Sequence, residues 1–183
     1  AYELTAYRKG AVFLVQLIYL IGYENVIQTL RTYFQEWKFK HPLPNDFRRI
    51  AERVSGIQLQ WYLTDWTQTT NKIDYGISSV ESNEESTLVY LERKELMPMP
   101  LEVLVVLKNG QKELHYIPIS LMRGEIDKPY DLKKVIHSDW SWSHLTYILK
   151  IGQKMENIDT IIIDPSNLMA DIDKTNNYFI NGN

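Results

Sequence analysis

Cysteine is absent from this 183-residue chain, glycine and proline are scarce at eight and seven, and the charge is nearly balanced, with 20 Lys+Arg against 23 Asp+Glu. Without thiols there is no disulfide framework, no thiolate metal site and no cysteine nucleophile, and either redox compartment is open to the chain. A formal net charge of -3 supplies no basic field for a phosphate backbone, so the composition gives nucleic acid no support as a partner. The longest apolar run, Ala11 to Gly22, is broken by Gln16 and is too short for a bilayer span. What remains, 44% hydrophobic and 23% charged residues, is the composition of a folded globular chain of one domain or two small ones.

Hydrophobic spacing changes character near residue 70. Before it, Val26, Ile27, Leu30, Tyr33, Phe34 and Trp37 follow a three-and-four spacing that predicts a helix. Phe47, Ile50, Ala51 and Val54 repeat the spacing after the Pro42-Leu43-Pro44 break, with Asn45 or Asp46 able to cap the start and Gly56 placed to end it. Leu59, Tyr62, Leu63 and Trp66 predict a short fourth helix. The first helix, Leu4 to Ile21, is apolar almost all round and calls for cover on several sides. The chain is therefore expected to be a piece of something longer and, alone, to expose an apolar surface through which it self-associates.

Thr67 to Asn71 reads as a linker, after which the period becomes two. Ile73, Tyr75 and Ile77 alternate, and strands are expected at Leu88 to Leu91, Leu101 to Leu107, Glu113 to Ile119, Leu145 to Ile151 and Ile158 to Ile163. Asn109-Gly110 predicts a two-residue hairpin turn. The expectation is an α+β chain: residues 1–69 helical, and residues 70–183 an antiparallel β-sandwich of about seven short strands.

Few residues announce chemistry. The four histidines, His41, His115, His137 and His144, have no helical three- or four-residue spacing and no HExxH, so they read as ordinary loop or strand residues. The run Asp171, Asp173, Asn176, Asn177 lacks the glycine and the final glutamate of a calcium loop and reads as a hydrogen-bonded turn. Trp140 and Trp142 offer either a platform for sugar rings or cover for a sheet edge, the second being the commoner use of such a pair.

The segment Leu4-Thr5-Ala6-Tyr7-Arg8-Lys9-Gly10-Ala11-Val12-Phe13-Leu14 resembles the Tyr-x-Lys-Gly-Ala segment of the aminopeptidase N family of zinc metallopeptidases, which also contains the leukotriene hydrolases. The resemblance continues through Ile21-Gly22-Tyr23-Glu24-Asn25, the Pro44-Asn45-Asp46-Phe47 helix entry, and Ser55-Gly56-Ile57-Gln58-Leu59 leading to Trp66, about 75 residues in all. Pro98-Met99-Pro100-Leu101, Tyr116-Ile117-Pro118-Ile119 and Ile163 to Asp173 are more loosely similar to the β-sandwich that follows the catalytic domain in bacterial members.

In that family a zinc ion held by HExxH and a downstream glutamate binds water and the scissile carbonyl, and the HExxH glutamate is the general base. A tyrosine donates to the carbonyl oxygen as it becomes negative, a contact stronger in the transition state than before it. The resemblance assigns that catalytic role to Tyr7, and places Tyr2 in the same pocket as a substrate-binding residue. Read without it, Tyr7 is a tyrosine near a helix start that packs its ring. Lys9 and Gly10 read as structural, Gly10 by permitting close helix packing. HExxH, the third zinc ligand and the amine-binding Gly-x-Met-Glu-Asn motif are absent from this sequence. The resemblance thus implies the carboxy-terminal part of an aminopeptidase, with zinc, the peptide substrate's amine site and the catalytic domain upstream in a parent protein of the periplasm or cell envelope, a cytoplasmic one remaining open. The alternative is a non-catalytic protein-binding or scaffold module, including a catalytically dead family member; an upstream HExxH or its degeneration separates the two.

On either reading the chain by itself is expected to be catalytically inert and to bind zinc weakly if at all, because it offers no clustered ligand set. Calorimetric titration checks this, and stoichiometric micromolar zinc binding contradicts it.

Overall fold

The computed structural model describes residues 8–124 and 132–182. Among these described residues four α-helices, α1 (Gly10–Ile21), α2 (Tyr23–Trp37), α3 (Pro44–Ser55) and α4 (Gln60–Gln68), precede eight strands, so the chain is α+β with its helices first. It divides into two compact units: one holds the helices with Leu168–Ala170 and the chain around Met122, the other holds the strands. Among the described residues no helix is long and apolar enough to cross a membrane.

Glycines at positive φ separate the helices. Gly22 (φ 79°) ends α1 and donates its N–H to the Ile18 carbonyl at 2.8 Å. Gly56 (φ 73°) ends α3 in the left-handed conformation, its N–H on the Glu52 carbonyl. The cap of α3 differs from expectation. Leu43 is the capping residue and Pro44 the first helical one, while the Asp46 carboxylate reaches back to accept from the Leu43 N–H at 2.8 Å. Proline suits that first position because its missing N–H has no helical partner to lose.

Aromatic rings fill the helical unit: Phe13 lies 5.0 Å from Tyr62 and 6.1 Å from Trp66, and Tyr33 meets the Phe47 ring edge-on. The Tyr62 hydroxyl donates to the Phe13 carbonyl at 2.5 Å. Gln16, the one polar residue in the apolar run of α1, is buried and forms a two-point clamp, donating to the Leu168 carbonyl and accepting from the Ala170 N–H at 3.0 Å. The apolar face of α2 is only partly covered, with Val26 and Thr29 inside and Leu30 and Phe34 exposed. Gly10 does not serve close packing, since no described atom lies within 4 Å of where its Cβ would stand.

The strands are β1 (Tyr75–Asn83), β2 (Ser86–Arg93), β3 (Leu101–Leu107), β4 (Lys112–Ile117), β5 (Lys133–Ile136), β6 (Thr146–Ile151), β7 (Ile158–Ile163) and β8 (Tyr178–Ile180). They form a three-stranded sheet, β1-β2-β6, and a five-stranded sheet, β5-β4-β3-β7-β8. Pairing is antiparallel throughout except for β4 and β5, which run parallel, so the expectation of a wholly antiparallel arrangement fails at that edge. The β3–β4 hairpin also differs. Its loop spans Lys108 to Gly110, closed by the Leu107 N–H on the Gln111 carbonyl, with only Gly110 at positive φ (85°). This is the three-residue loop that ends in a left-handed glycine, and the Asn109 side chain stabilises it by accepting from the Gln111 N–H at 2.9 Å.

Replacing Gln16 by leucine is expected to lower stability by about 1–3 kcal/mol, because it removes two hydrogen bonds, to the Leu168 carbonyl and from the Ala170 N–H, while preserving bulk. A fall in the urea midpoint checks this; a neutral or stabilised variant shows that the clamp contributes nothing.

Candidate functional site

Tyr7 and Tyr2, the two residues given roles by sequence, lie outside the described residues, as does the Leu4 to Tyr7 start of the expected first helix. The chain is described from Arg8, where Arg8 and Lys9 form a π-helical turn leading into α1, both exposed. Trp140 and Trp142 do not make a platform. Trp140 is buried, edge-on to Tyr75 at 5.5 Å and against Tyr147, and its indole N–H donates to the His144 carbonyl. Trp142 is exposed, its carbonyl held by Arg93 at 2.6 Å.

The acidic run is a hydrogen-bonded turn with Asp171 and Asn177 buried. Asp171 accepts from the backbone of Tyr75 and Asp173 and from the Asn177 amide, and Asp173 accepts from both the N–H and the hydroxyl of Thr175. Burial raises the Asp171 pKa against the pull of those donors.

What the fold brings together is a polar group that no sequence spacing linked. On β4, alternate residues Glu113 and His115 share a face, and the register sets Val103 of β3 beside His115 and Lys133 of β5 beside Glu113. His115 is 2% exposed, in a row with the fully buried Leu101, Val103, Val105, Ile161 and Ile163. Its Nδ1 lies 2.8 Å from Nε2 of His137, the residue that follows β5. The ring centroids are 5.1 Å apart and the planes 25° from parallel. At that separation the facing nitrogens lie close to the line joining the ring centres, so the rings meet edge to edge in a hydrogen bond and not face to face.

Around the pair, the Glu113 Oε2 is 3.7 Å from His115 Nε2, too long for a hydrogen bond, and Nε2 has no other partner among the described residues. Glu113 Oε1 accepts from Lys133 at 2.8 Å and from Gln153 at 3.4 Å. Burial pushes the Glu113 carboxyl up, but the Lys133 bond and charge, with Gln153 and His115, outweigh it and hold the group below its usual value. Burial first, then the neighbouring His137, drive the His115 imidazole down to about 4, against the opposing pull of Glu113. Burial lowers His137 as well.

These groups fix the tautomer. A bare lone pair on His115 Nε2 facing the Glu113 carboxylate is repelled, whereas an N–H there is attracted, so His115 carries its proton on Nε2. Its Nδ1 then accepts, and His137 Nε2–H is the donor. Between the facing nitrogens there is room for one proton.

Sequence reasoning missed this cluster because it compared neighbours along the chain, and His115 and His137 are joined only through a parallel strand pair. The Glu113-x-His115 alternation within a predicted strand was the available signal. Among the described residues no group of three or more His, Cys, Asp or Glu side chains is placed to hold a metal ion. No protein-family model matches the chain, and no curated protein matches it.

A buried imidazole that stays neutral while the unfolded one takes up a proton ties stability to pH. His115 contributes its full share above the ordinary value of 6.5 and loses it as the pH falls towards about 4, a change of about 3 kcal/mol. Urea midpoints measured across that interval are expected to fall for the native chain and to change far less for His115→Phe; equal slopes in both contradict the assignment.

Proposed function

We propose that this chain is the carboxy-terminal part of a zinc aminopeptidase: α1 to α4 close its catalytic domain, and the two sheets form the β-sandwich that follows. The observation that carries the reading is the order and punctuation of elements after the Tyr7-Arg8-Lys9-Gly10 string. An apolar helix begins at Gly10, breaks fall at Gly22 and Gly56, and strands begin at Tyr75. The sandwich reading is supported by a buried apolar row on each sheet, Val89, Leu91, Leu149 and Ile151 on one and Leu101, Val103, Val105, Ile161 and Ile163 on the other. The exposed Val12, Val15, Leu30 and Phe34 of α1 and α2 are surface that an upstream domain would cover, or through which the chain alone would self-associate.

The sequence lacks HExxH and the amine-binding motif, so the reading gives this chain's part in catalysis to Tyr7. Its phenol donates a hydrogen bond to the carbonyl oxygen of the scissile peptide as tetrahedral addition makes that oxygen negative. Tyr2 lines the pocket around the substrate.

In the full-length parent, Tyr7→Phe is expected to keep fold and zinc content while lowering kcat on a small aminoacyl substrate by about a hundred- to thousandfold, equivalent to about 2.7 to 4 kcal/mol of lost transition-state stabilisation. Tyr2→Phe is expected to act more weakly and mainly on KM. Steady-state kinetics with metal content measured in parallel decide it; near-native turnover in Tyr7→Phe leaves the scaffold-module reading in its place.

A further inference from the structure

We propose that the His115–His137 contact is a one-proton latch that holds edge strand β5 against β4 and lets it go on acidification. The geometry is specific to that edge. β5 is four residues long and lies at the margin of its sheet, with β4 as its hydrogen-bonded neighbour. Beyond it the chain stays along β4 through the His137 N–H on the Tyr116 carbonyl at 2.9 Å and the Trp140 N–H on the Pro118 carbonyl at 2.7 Å. The imidazole pair stands in the middle of this seam, linking the two sides by a single in-line bond.

The first proton taken up by the pair goes to His137 Nδ1, the ring nitrogen away from the contact, and leaves the bond intact. A second must go to His115 Nδ1. It would then set N–H against N–H across 2.8 Å, with two positive rings in contact and one of them inside an apolar row. Moving His137 and β5 away removes the conflict, because the departing ring reaches water.

The charged groups facing the pair do not substitute for it. Val103 from β3 and Val135 from β5 lie beside His115 and carry no charge. Glu113 on β4 is held below the usual carboxylate value by Lys133, so it is ionised where an ordinary imidazole takes up its proton. Lys133 on β5 is its ion-pair partner, and Gln153 carries no charge. The Lys133–Glu113 ion pair, with Lys133 largely exposed, is a separate, solvent-screened attraction across the same seam. The released state presents the unpaired edge of β4, Lys112–Ile117, to solvent or to another strand.

Amide hydrogen exchange on the full chain, corrected for the pH dependence of chemical exchange, tests the latch. Protection at Lys133–Ile136 and at the His137 N–H is expected to fall about tenfold per pH unit below the ordinary imidazole range, one proton's worth of linkage, while β3 and β7 keep theirs. In His115→Phe, which removes the ring that takes the second proton, the dependence on pH is expected to vanish, and in His137→Phe and His137→Asn, which remove the N–H that opposes that proton, it is expected to weaken. Lys133→Met is expected to lower protection at neutral pH while the fall on acidification persists. The proposal is overturned by flat β5 protection in the native chain, by loss of β5 only together with β3 and β7, or by an unchanged slope in either His137 variant. Should neither variant fold, the native chain's profile alone decides.

Discussion

Polar groups removed from water must find partners, and in both units that requirement fixes which distant segments meet. In the helical unit, Gln16 would be intolerable inside α1 without the Leu168 carbonyl and the Ala170 N–H. In the strand unit, the Tyr75 hydroxyl exchanges hydrogen bonds with both backbone groups of Met99, and Asp171 gathers donors from Tyr75, Asp173 and Asn177. Arg93 ties down the loop at Trp142 through its carbonyl. Apolar burial supplies the driving force but is indifferent to partner; these bonds choose among the pairings that burial alone would permit.

His115 is where that requirement is met most narrowly. Its two ring nitrogens face a carboxylate slightly too far away and another imidazole at hydrogen-bond distance, so its satisfaction depends on protonation state as well as on position. Asp171 and Gln16 have no such dependence on a second titrating ring. The β4–β5 seam is consequently the part of the strand unit whose integrity is tied to pH in the imidazole range, while β3 is held by an antiparallel ladder on each side.

Local patterning made much of the fold legible. Apolar three-and-four spacing marked α2 and α3, with Gly56 at the end of α3, the all-round apolar run marked α1, a short apolar cluster marked α4, and the β-branched runs of β3 and β7 marked the centre of the larger sheet. Two strands escaped. β5 is four residues beginning with two lysines, and β8 is three residues, both too short for alternation to register. The Asn109-Gly110 turn was found but its length was not, because Asn109 spends its side chain on the Gln111 N–H and only the glycine takes positive φ. The Gln16 clamp spans 152 positions and the histidine pair 22, and neither separation is a period of any secondary structure. Tyr7 and Tyr2 drew their roles from resemblance and not from spacing. The peptidase reading therefore rests on the amino-terminal string and the order of elements behind it.

A single proton between His115 and His137 is the central claim, and the nitrogen chemical shifts of the two imidazoles at neutral pH measure it most directly. The expected spectrum has His115 protonated on Nε2, its Nδ1 a hydrogen-bonded acceptor, and His137 protonated on Nε2, with a scalar coupling across the bond between the two rings. A His115 protonated on Nδ1, or two charged rings in a sheet whose β5 remains paired, would contradict it.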